Sequence, residues 1–116
     1  MSKLKSLLPS LREKKRYLCF EVISKTKING FTEVFRQIWL SLSAFLGELG
    51  MAKASILVLD DYNKNNQRGL IKVGHRYVNE VKSALSLIKT IEKQPVIVRT
   101  IGVSGIIRKA KKKYLL

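Results

Sequence analysis

The chain has 116 residues, of which 46% are hydrophobic and 27% are charged, which is typical of one globular domain with a single core. These values exclude compositional disorder, and the length is too short for two typical domains. Lysine and arginine number 23 against 8 acidic residues, a net charge of +15 that indicates a polyanionic partner, because unneutralised charge destabilises a compact fold.

The positive charge is concentrated at the two ends of the chain. Residues 1 to 16 carry six basic side chains and one acidic one, and residues 104 to 116 carry five basic side chains and no acid. Such segments could lie on nucleic acid or on a membrane surface. No apolar stretch approaches the roughly 18 to 20 residues of a membrane span, and the N-terminal residues lack a signal-peptide pattern. We therefore expect a cytoplasmic protein that has no membrane partner.

The first half of the chain predicts a strand followed by a helix. Residues 1 to 13 include Pro9 and are expected to form a basic tail that orders on contact with a partner. In "RYLCFEVIS" (16 to 24) apolar residues alternate, as in a strand. From Phe31 to Leu49 apolar residues recur every three or four positions, which predicts an amphipathic helix that Gly47 and Gly50 close. Its aromatic stripe is interpreted as core packing.

The second half predicts a hairpin, a helix, a strand and a short basic helix. "ASILVLD" (54 to 60) and "RGLIKVG" (68 to 74) should pair antiparallel through a polar loop. A helix is predicted from Tyr77 to the vicinity of Gln94 and Pro95, and "PVIVRTIGV" (95 to 103) is predicted as the last strand. Ser104 is positioned to cap a basic helix in residues 104 to 116.

This order of elements is typical of an α+β, ferredoxin-like fold, which RNA recognition motifs share: a four-stranded antiparallel sheet with two helices on one face. One domain is expected over residues 1 to 116, with a tail (1 to 13), a core (14 to 103) and a C-terminal helix (104 to 116). "RGLIKVGH" (68 to 75) begins like the RNA-stacking strand of such motifs, but Leu70, Lys72 and His75 replace the aromatic residues. Stacking of single-stranded bases is therefore not expected. Tyr17, Leu70 and Lys72 are predicted to face a protein partner on the open side of the sheet.

Few residues suggest catalysis. Asp60 and Asp61 are adjacent, so on a strand they would point to opposite faces. Cys19 is the only cysteine and His75 the only histidine, which excludes a cysteine-based metal site, and no cofactor is expected to bind the protein. "GVSG" (102 to 105) lies between the last strand and the basic helix. It could present backbone N–H groups to a phosphate, or it could be a simple tight turn.

Four segments together resemble archaeal ribonuclease P protein component 2. They are "LPSLREKKRYLCFEVIS" (8 to 24), "FLGELGMAKA" (45 to 54), "GHRYVNEVKSALSLI" (74 to 88) and "IVRTIGVSGIIRKAKKKYL" (97 to 115). The resemblance implies a non-catalytic subunit of an endoribonuclease that removes the 5′ leader of precursor transfer RNA, in which the partner RNA is the catalyst and uses Mg²⁺. It also implies other ribonuclease P proteins as partners, among them component 3 in a two-plus-two assembly, while precursor transfer RNA is contacted only indirectly.

The basic residues that match the family's terminal motifs are expected to neutralise crowded RNA phosphates and so to lower the requirement for Mg²⁺. Together with Arg99 and the GVSG turn, the predicted RNA-binding residues are Arg12, Lys14, Lys15, Arg16, Arg99, Ser104, Gly105, Arg108, Lys109, Lys111 and Lys112. Two alternatives remain open. One is a general RNA- or ribosome-associated module, and the other is a small acylphosphatase-like enzyme, although "KTKING" (25 to 30) lacks the expected arginine-containing loop.

Overall fold

The computed structural model describes residues 14–28 and 30–115, so Arg12 and the predicted tail lie outside the described residues. The strands are β1 (Lys15–Ser24), β2 (Leu57–Val58), β3 (Arg68–Gly74), β4 (Thr90–Ile91) and β5 (Gln94–Ser104). The main helices are α1 (Phe31–Ala54) and α2 (Val78–Ser86), the latter preceded by a 3₁₀ turn (His75–Tyr77). A last helix, Ile107–Ala110, continues as a wider turn through Lys111–Leu115. We call these nine residues the C-terminal helix.

The strands form one antiparallel sheet in the order β2-β3-β1-β5-β4. The four predicted strands have the ferredoxin-like arrangement, which confirms the predicted fold class, and β4 is an added fifth strand. Glu92 and Lys93, with φ of 53° and 64°, form the two-residue turn between β4 and β5. Positive φ at both central residues is characteristic of the tight turn that matches strand twist. The predicted extension of the second helix toward Gln94 is therefore wrong.

Helices α1 and α2 pack on one face of the sheet. Leu18, Phe20 and Val22 of β1 point toward them and are fully or almost fully buried. Ile71 and Val73 of β3 belong to the same core, as the alternation in the sequence predicts. This layer holds most of the buried apolar surface of the described residues and fixes the position of the sheet beneath it.

Helix α1 differs from its prediction in length and in its buried face. It continues to Ala54, although Gly47 interrupts it with φ 73° and ψ 172°, values that glycine adopts without a steric penalty. Its core-facing residues are Val34, Ile38 and Leu42, all fully buried. The interpretation of the whole aromatic stripe as core is wrong, since the outward residues are Phe35 (36% exposed), Trp39 (41%), Phe45 (45%) and Leu49 (67%). We call these four residues the apolar face of α1.

The C-terminal helix covers part of the opposite face of the sheet, which the sequence predicted to be open. Ala110 and Leu115 form a second apolar cluster with Cys19 and Leu70. Leu70 is 0% exposed, so its prediction as a partner-contact residue is corrected. The physical reason is that the apolar positions of the C-terminal helix need a surface to bury against, and this face supplies one.

Candidate RNA interface

The C-terminal helix has one apolar and one basic side. Ile107, Ala110, Tyr114 and Leu115 pack toward the sheet. Arg108, Lys109, Lys112 and Lys113 are exposed on the outside. This division follows from helical spacing, because positions i, i+1, i+4 and i+5 share one side of a helix. Packing of the apolar side therefore fixes four cations on the outer surface of the molecule.

Polar contacts from the β2–β3 loop and from Arg68, the first residue of β3, hold the end of this helix. The guanidinium of Arg68 donates to the carbonyl of Tyr114 at 3.0 Å, and the amide of Asn66 donates to the carbonyl of Leu115 at 3.2 Å. Asn63 also donates to the Leu115 carbonyl, at 2.5 Å. These donors satisfy carbonyls that a helix end leaves without intrahelical partners. The polar loop between β2 and β3 thus helps to anchor the basic helix.

Gly102 allows the ring of Tyr114 to lie directly on β5. A Cβ atom at Gly102 would lie 2.7 Å from Cε1 of Tyr114 and closer still to its hydroxyl. No larger residue fits without displacing the ring. This glycine of the GVSG motif therefore has a packing role.

The start of β1 lies beside the turn that leads into the C-terminal helix. Tyr17 of β1 pairs with Ser104 of β5. The side chain of Arg16 reaches Gly105, where its Nη1 atom would lie 3.4 Å from a Cβ on that glycine. Lys14 is held next to β3, since its carbonyl accepts from the backbone N–H of His75 at 2.9 Å. The fold thus brings the basic start of β1 next to the turn that leads into the basic C-terminal helix.

We define the basic surface as Lys14, Lys15, Arg16, Arg108, Lys109, Lys112 and Lys113. Within residues 14–28 and 30–115, no acidic side chain forms an ion pair with any of these seven. Lys111 differs, because its Nζ atom lies 3.2 Å from a carboxylate oxygen of Asp61, which offsets part of its charge. Lys113, whose Nζ atom also lies 5.6 Å from the ring centroid of Tyr114, was absent from the predicted set. Lys113 lies four residues after Lys109, so helical spacing would have placed both on the same side of the helix.

Ser104 organises the turn. The prediction that it caps the helix is wrong. Its Oγ atom accepts from the N–H of Ile106 at 3.2 Å and donates to the carbonyl of the same residue at 3.1 Å. The helix begins after Ile106, and its N-cap has no side-chain hydrogen bond. Because the α-helical part spans only Ile107–Ala110, its dipole is short. These features favour the tight-turn interpretation of GVSG over a phosphate site.

Arg99 is separated from the basic surface. It lies five residues before Ser104 on β5, about 16 Å at the usual rise of a strand. Its guanidinium pairs with Glu21 at 2.8 Å, and Arg68 binds the other oxygen of the same carboxylate at 2.9 Å. Burial acts to raise the pKa of Glu21, but the hydrogen bonds and charges of Arg68 and Arg99 together lower it below its ordinary value. Arg99 is thus part of an ion-pair group at the other end of the sheet.

Other kinds of site find little support in the described part of the chain. No three His, Cys, Asp or Glu residues there lie close enough to hold a metal ion. No described helix is both long enough and apolar enough to cross a membrane. The basic surface is the most distinctive feature of the described structure, and its exposed cations suit phosphate groups.

Comparison with known proteins agrees with this geometry. A family model, the Rpp14/Pop5 family, matches residues 16–115. Among curated proteins, ribonuclease P protein component 2 of Pyrococcus furiosus is 38% identical over 111 residues, covering 96% of this chain and 91% of that protein. The protein of the same name from Methanococcus aeolicus is 37% identical, covering 97% and 80% of the two chains.

A solved structure also has this fold. A chain in the structure of yeast ribonuclease MRP superimposes with a TM-score of 0.60 at 14% identity, covering 80% of this chain and 75% of that one. At that identity the likeness shows the fold alone. The resemblance deduced from the four sequence segments is confirmed by the family model and the curated relatives. The chain belongs to the Rpp14/Pop5 family.

Proposed function

We propose that the chain is a protein subunit of ribonuclease P, the endoribonuclease that removes the 5′ leader of precursor transfer RNA, and that its basic surface binds the RNA subunit. The observation that carries the proposal is that Arg16, at the start of β1, reaches the Gly105 turn beside the cationic side of the C-terminal helix. The relatives named ribonuclease P protein component 2 support the RNA subunit of that enzyme as the partner.

The protein acts by neutralising phosphates. A compact RNA active site brings phosphate groups close together, and their repulsion opposes folding unless cations screen it. Exposed side chains such as Arg108 and Lys109 supply part of that positive charge. Because they are fixed on a packed helix, they cannot diffuse away from the RNA as free metal ions can. The partner RNA performs catalysis with its own Mg²⁺, and the chain contributes no catalytic group.

The partners include other ribonuclease P proteins, with component 3 in a two-plus-two assembly. The apolar face of α1 supports a protein contact, because Trp39 and Phe45 are exposed on the side of the molecule opposite the C-terminal helix. Exposed aromatic residues are the usual anchors of protein interfaces. Tyr17 and Lys72, predicted as partner contacts, remain partly accessible beside the C-terminal helix.

Reconstitution of the holoenzyme with charge variants tests the RNA contact. Changing Arg16, Arg108 and Lys109 together to alanine should raise the Mg²⁺ concentration needed for half-maximal cleavage, because screening must then come from free ions. The matched control changes Lys25, Lys53 and Lys64, three exposed lysines outside the basic surface, to alanine. Cleavage of precursor transfer RNA is measured across a Mg²⁺ titration.

An equal Mg²⁺ requirement for the two triple variants and the wild type would contradict the proposed mechanism. The RNA that copurifies with the wild-type chain tests the identity of the partner. Recovery of ribonuclease P RNA supports the proposal, whereas recovery of ribosomal RNA would favour the alternative of a ribosome-associated module.

A further inference from the structure

The outer edge of β5 is the sheet edge with the longest stretch of unpaired backbone in the described structure. β4 pairs with β5 only through Thr90 and Ile91, opposite Pro95 and Gln94. One further bond joins the N–H of Val96 to the carbonyl of Lys89 at 2.9 Å. Before Lys89 the chain leads back to α2, out of the plane of the sheet. Among residues 14–28 and 30–115, no strand therefore lies beside Ile97–Thr100.

Val98 and Thr100 direct their backbone groups toward this edge. The N–H of Val22 donates to the carbonyl of Gln67, on the side of β1 that faces away from β5. Val22 and its partner Val98 therefore form a non-hydrogen-bonded pair, in which both residues point their N–H and C=O groups away from each other. Thr100, two residues further along, has the same orientation. The edge thus offers two N–H donors and two carbonyl acceptors to an added strand.

A groove of about 460 Å³ follows the same edge. Its floor includes Ile88, Val96 and Val98, which are 6%, 7% and 4% exposed. Lys82, Ser86 and Lys89 border it on the side of α2. A strand that paired with Val98 and Thr100 would place every second side chain on this apolar floor, since successive residues of a strand alternate between faces.

The charge of the groove selects the kind of segment that fits. Lys82 and Lys89 are exposed and form no ion pair within the described part of the chain. No acidic residue lines the groove. A second copy of β5 at this edge would carry its own Arg99 toward Lys82 and Lys89, and these like charges would repel. Residues 1 to 13, with three basic residues and one acidic residue, are also a poor electrostatic match.

We propose that the outer edge of β5 binds an extended acidic segment of a partner protein as an added strand. The segment would hydrogen-bond to Val98 and Thr100, place an apolar side chain over Ile88, and direct carboxylates to Lys82 and Lys89. The straight edge ends at the bulge opposite Cys19 and Phe20, so about four residues, or roughly 13 Å, can pair. This site is separate from the basic surface and does not depend on the identity of the RNA.

Backbone hydrogen exchange of the full chain tests the site directly. The probe is a nine-residue peptide in which glutamate alternates with valine, and its control has lysine in place of glutamate, both at about 0.15 M salt. Exchange at each amide is followed by NMR. The glutamate peptide should slow exchange of the Val98 and Thr100 amides selectively, and the lysine peptide should leave them unchanged.

Two variants separate edge pairing from general attraction to a cationic protein. Thr100→Pro removes an outward N–H that makes no bond to β1, so it should weaken binding while the sheet stays intact. The double variant Lys82→Glu, Lys89→Glu should weaken binding about tenfold, because two attractions become repulsions. Lys53→Glu with Lys64→Glu changes the net charge equally at sites away from the groove and should bind like the wild type.

Three results would overturn the proposal. The first is slow exchange at Val98 and Thr100 without peptide, which would mean that residues 1 to 13 or a second copy already occupies the edge. The second is equal binding of the glutamate and lysine peptides. The third is equal loss of binding in the two double-lysine variants, which would indicate attraction to net charge alone.

Discussion

At the scale of single residues, Glu21 shows how a partly buried acid is kept charged. Its side chain is 14% exposed, and Arg68 and Arg99 each bind one of its carboxylate oxygens. The carboxylate also draws Arg68 into place, where the same guanidinium donates to the carbonyl of Tyr114. One acidic residue on β1 thus helps to position the end of the basic C-terminal helix.

The lowered pKa of Glu21 predicts a specific pH dependence of stability. A carboxyl group with a depressed folded-state pKa stabilises the fold above its unfolded-state pKa, and this contribution is lost as the pH falls through the folded-state pKa. Glu21→Gln should therefore lower the free energy of unfolding by about 2 kcal/mol at neutral pH, because it breaks hydrogen bonds between charged groups. The difference from the wild type should shrink below about pH 4.5 and vanish once Glu21 is protonated.

Urea denaturation at a series of pH values measures this difference. Glu48→Gln is the matched control, since Glu48 is exposed on α1 and forms no ion pair in the described part of the chain. If the difference in free energy of unfolding between Glu21→Gln and the wild type were constant from neutral to acidic pH, the two arginines would not act through the charge of Glu21.

At the scale of elements, the C-terminal helix both covers the sheet and presents the cations. It shields Cys19, whose side chain is 0% exposed and belongs to the cluster with Ala110 and Leu115. Burial raises the pKa of the Cys19 thiol to about 11, so little of the reactive thiolate exists at neutral pH. As the only cysteine, Cys19 reports on the docking of this helix.

Thiol modification should therefore measure the opening of the C-terminal helix. Tyr114→Ala removes the ring that lies on Gly102, and a loss of about 1.4 kcal/mol of docking free energy would raise the open fraction, and with it the rate of Cys19 modification, about tenfold. Leu49→Ala, on the other side of the sheet, should leave the rate unchanged. Equal rates in the wild type and Tyr114→Ala would show that the helix does not protect the thiol.

At the scale of the whole molecule, the layered fold separates two exposed surfaces. The apolar face of α1 and the cationic side of the C-terminal helix lie on opposite sides of the sheet, with the buried core between them. Charge is depleted from the cores of protein interfaces, whereas RNA binding requires it. With the proposed function, this separation would let one small domain bind RNA and protein at the same time.

This arrangement predicts that the two contacts can be removed independently. Trp39→Ser with Phe45→Ser should weaken binding of component 3 about tenfold, since exposed aromatic anchors carry much of the binding energy, and should leave affinity for ribonuclease P RNA unchanged. Arg108→Gln with Lys109→Gln should weaken RNA binding and leave the affinity for component 3 unchanged. The slope of log RNA affinity against log salt concentration should become shallower by the amount expected for about two lost phosphate contacts. Both affinities are measured by titration with purified components. Loss of both contacts in either variant would contradict the separation.

Several features were accessible from sequence because they depend on short-range patterns. Alternation placed Ile71 and Val73 toward the helices, and β3 has the predicted bounds, Arg68–Gly74. The position of β4 was missed because Glu92 and Lys93 adopt positive φ without the usual Asn-Gly signal. The exposed part of α1 was missed because spacing identifies an apolar stripe but does not say how much of it the sheet can cover.

The sequence alone was sufficient for the fold class, for the resemblance to component 2 and for the concentration of charge at both ends, because periodicity, element order and composition are properties of neighbouring residues. Only the tertiary structure decided that Arg16 meets the turn before the C-terminal helix, that Leu70 is covered, and that Arg99 belongs with Glu21 and not with the basic surface. These outcomes depend on strand register and on where an amphipathic helix finds a surface to bury against. Such contacts join residues far apart in the chain, which no local pattern encodes.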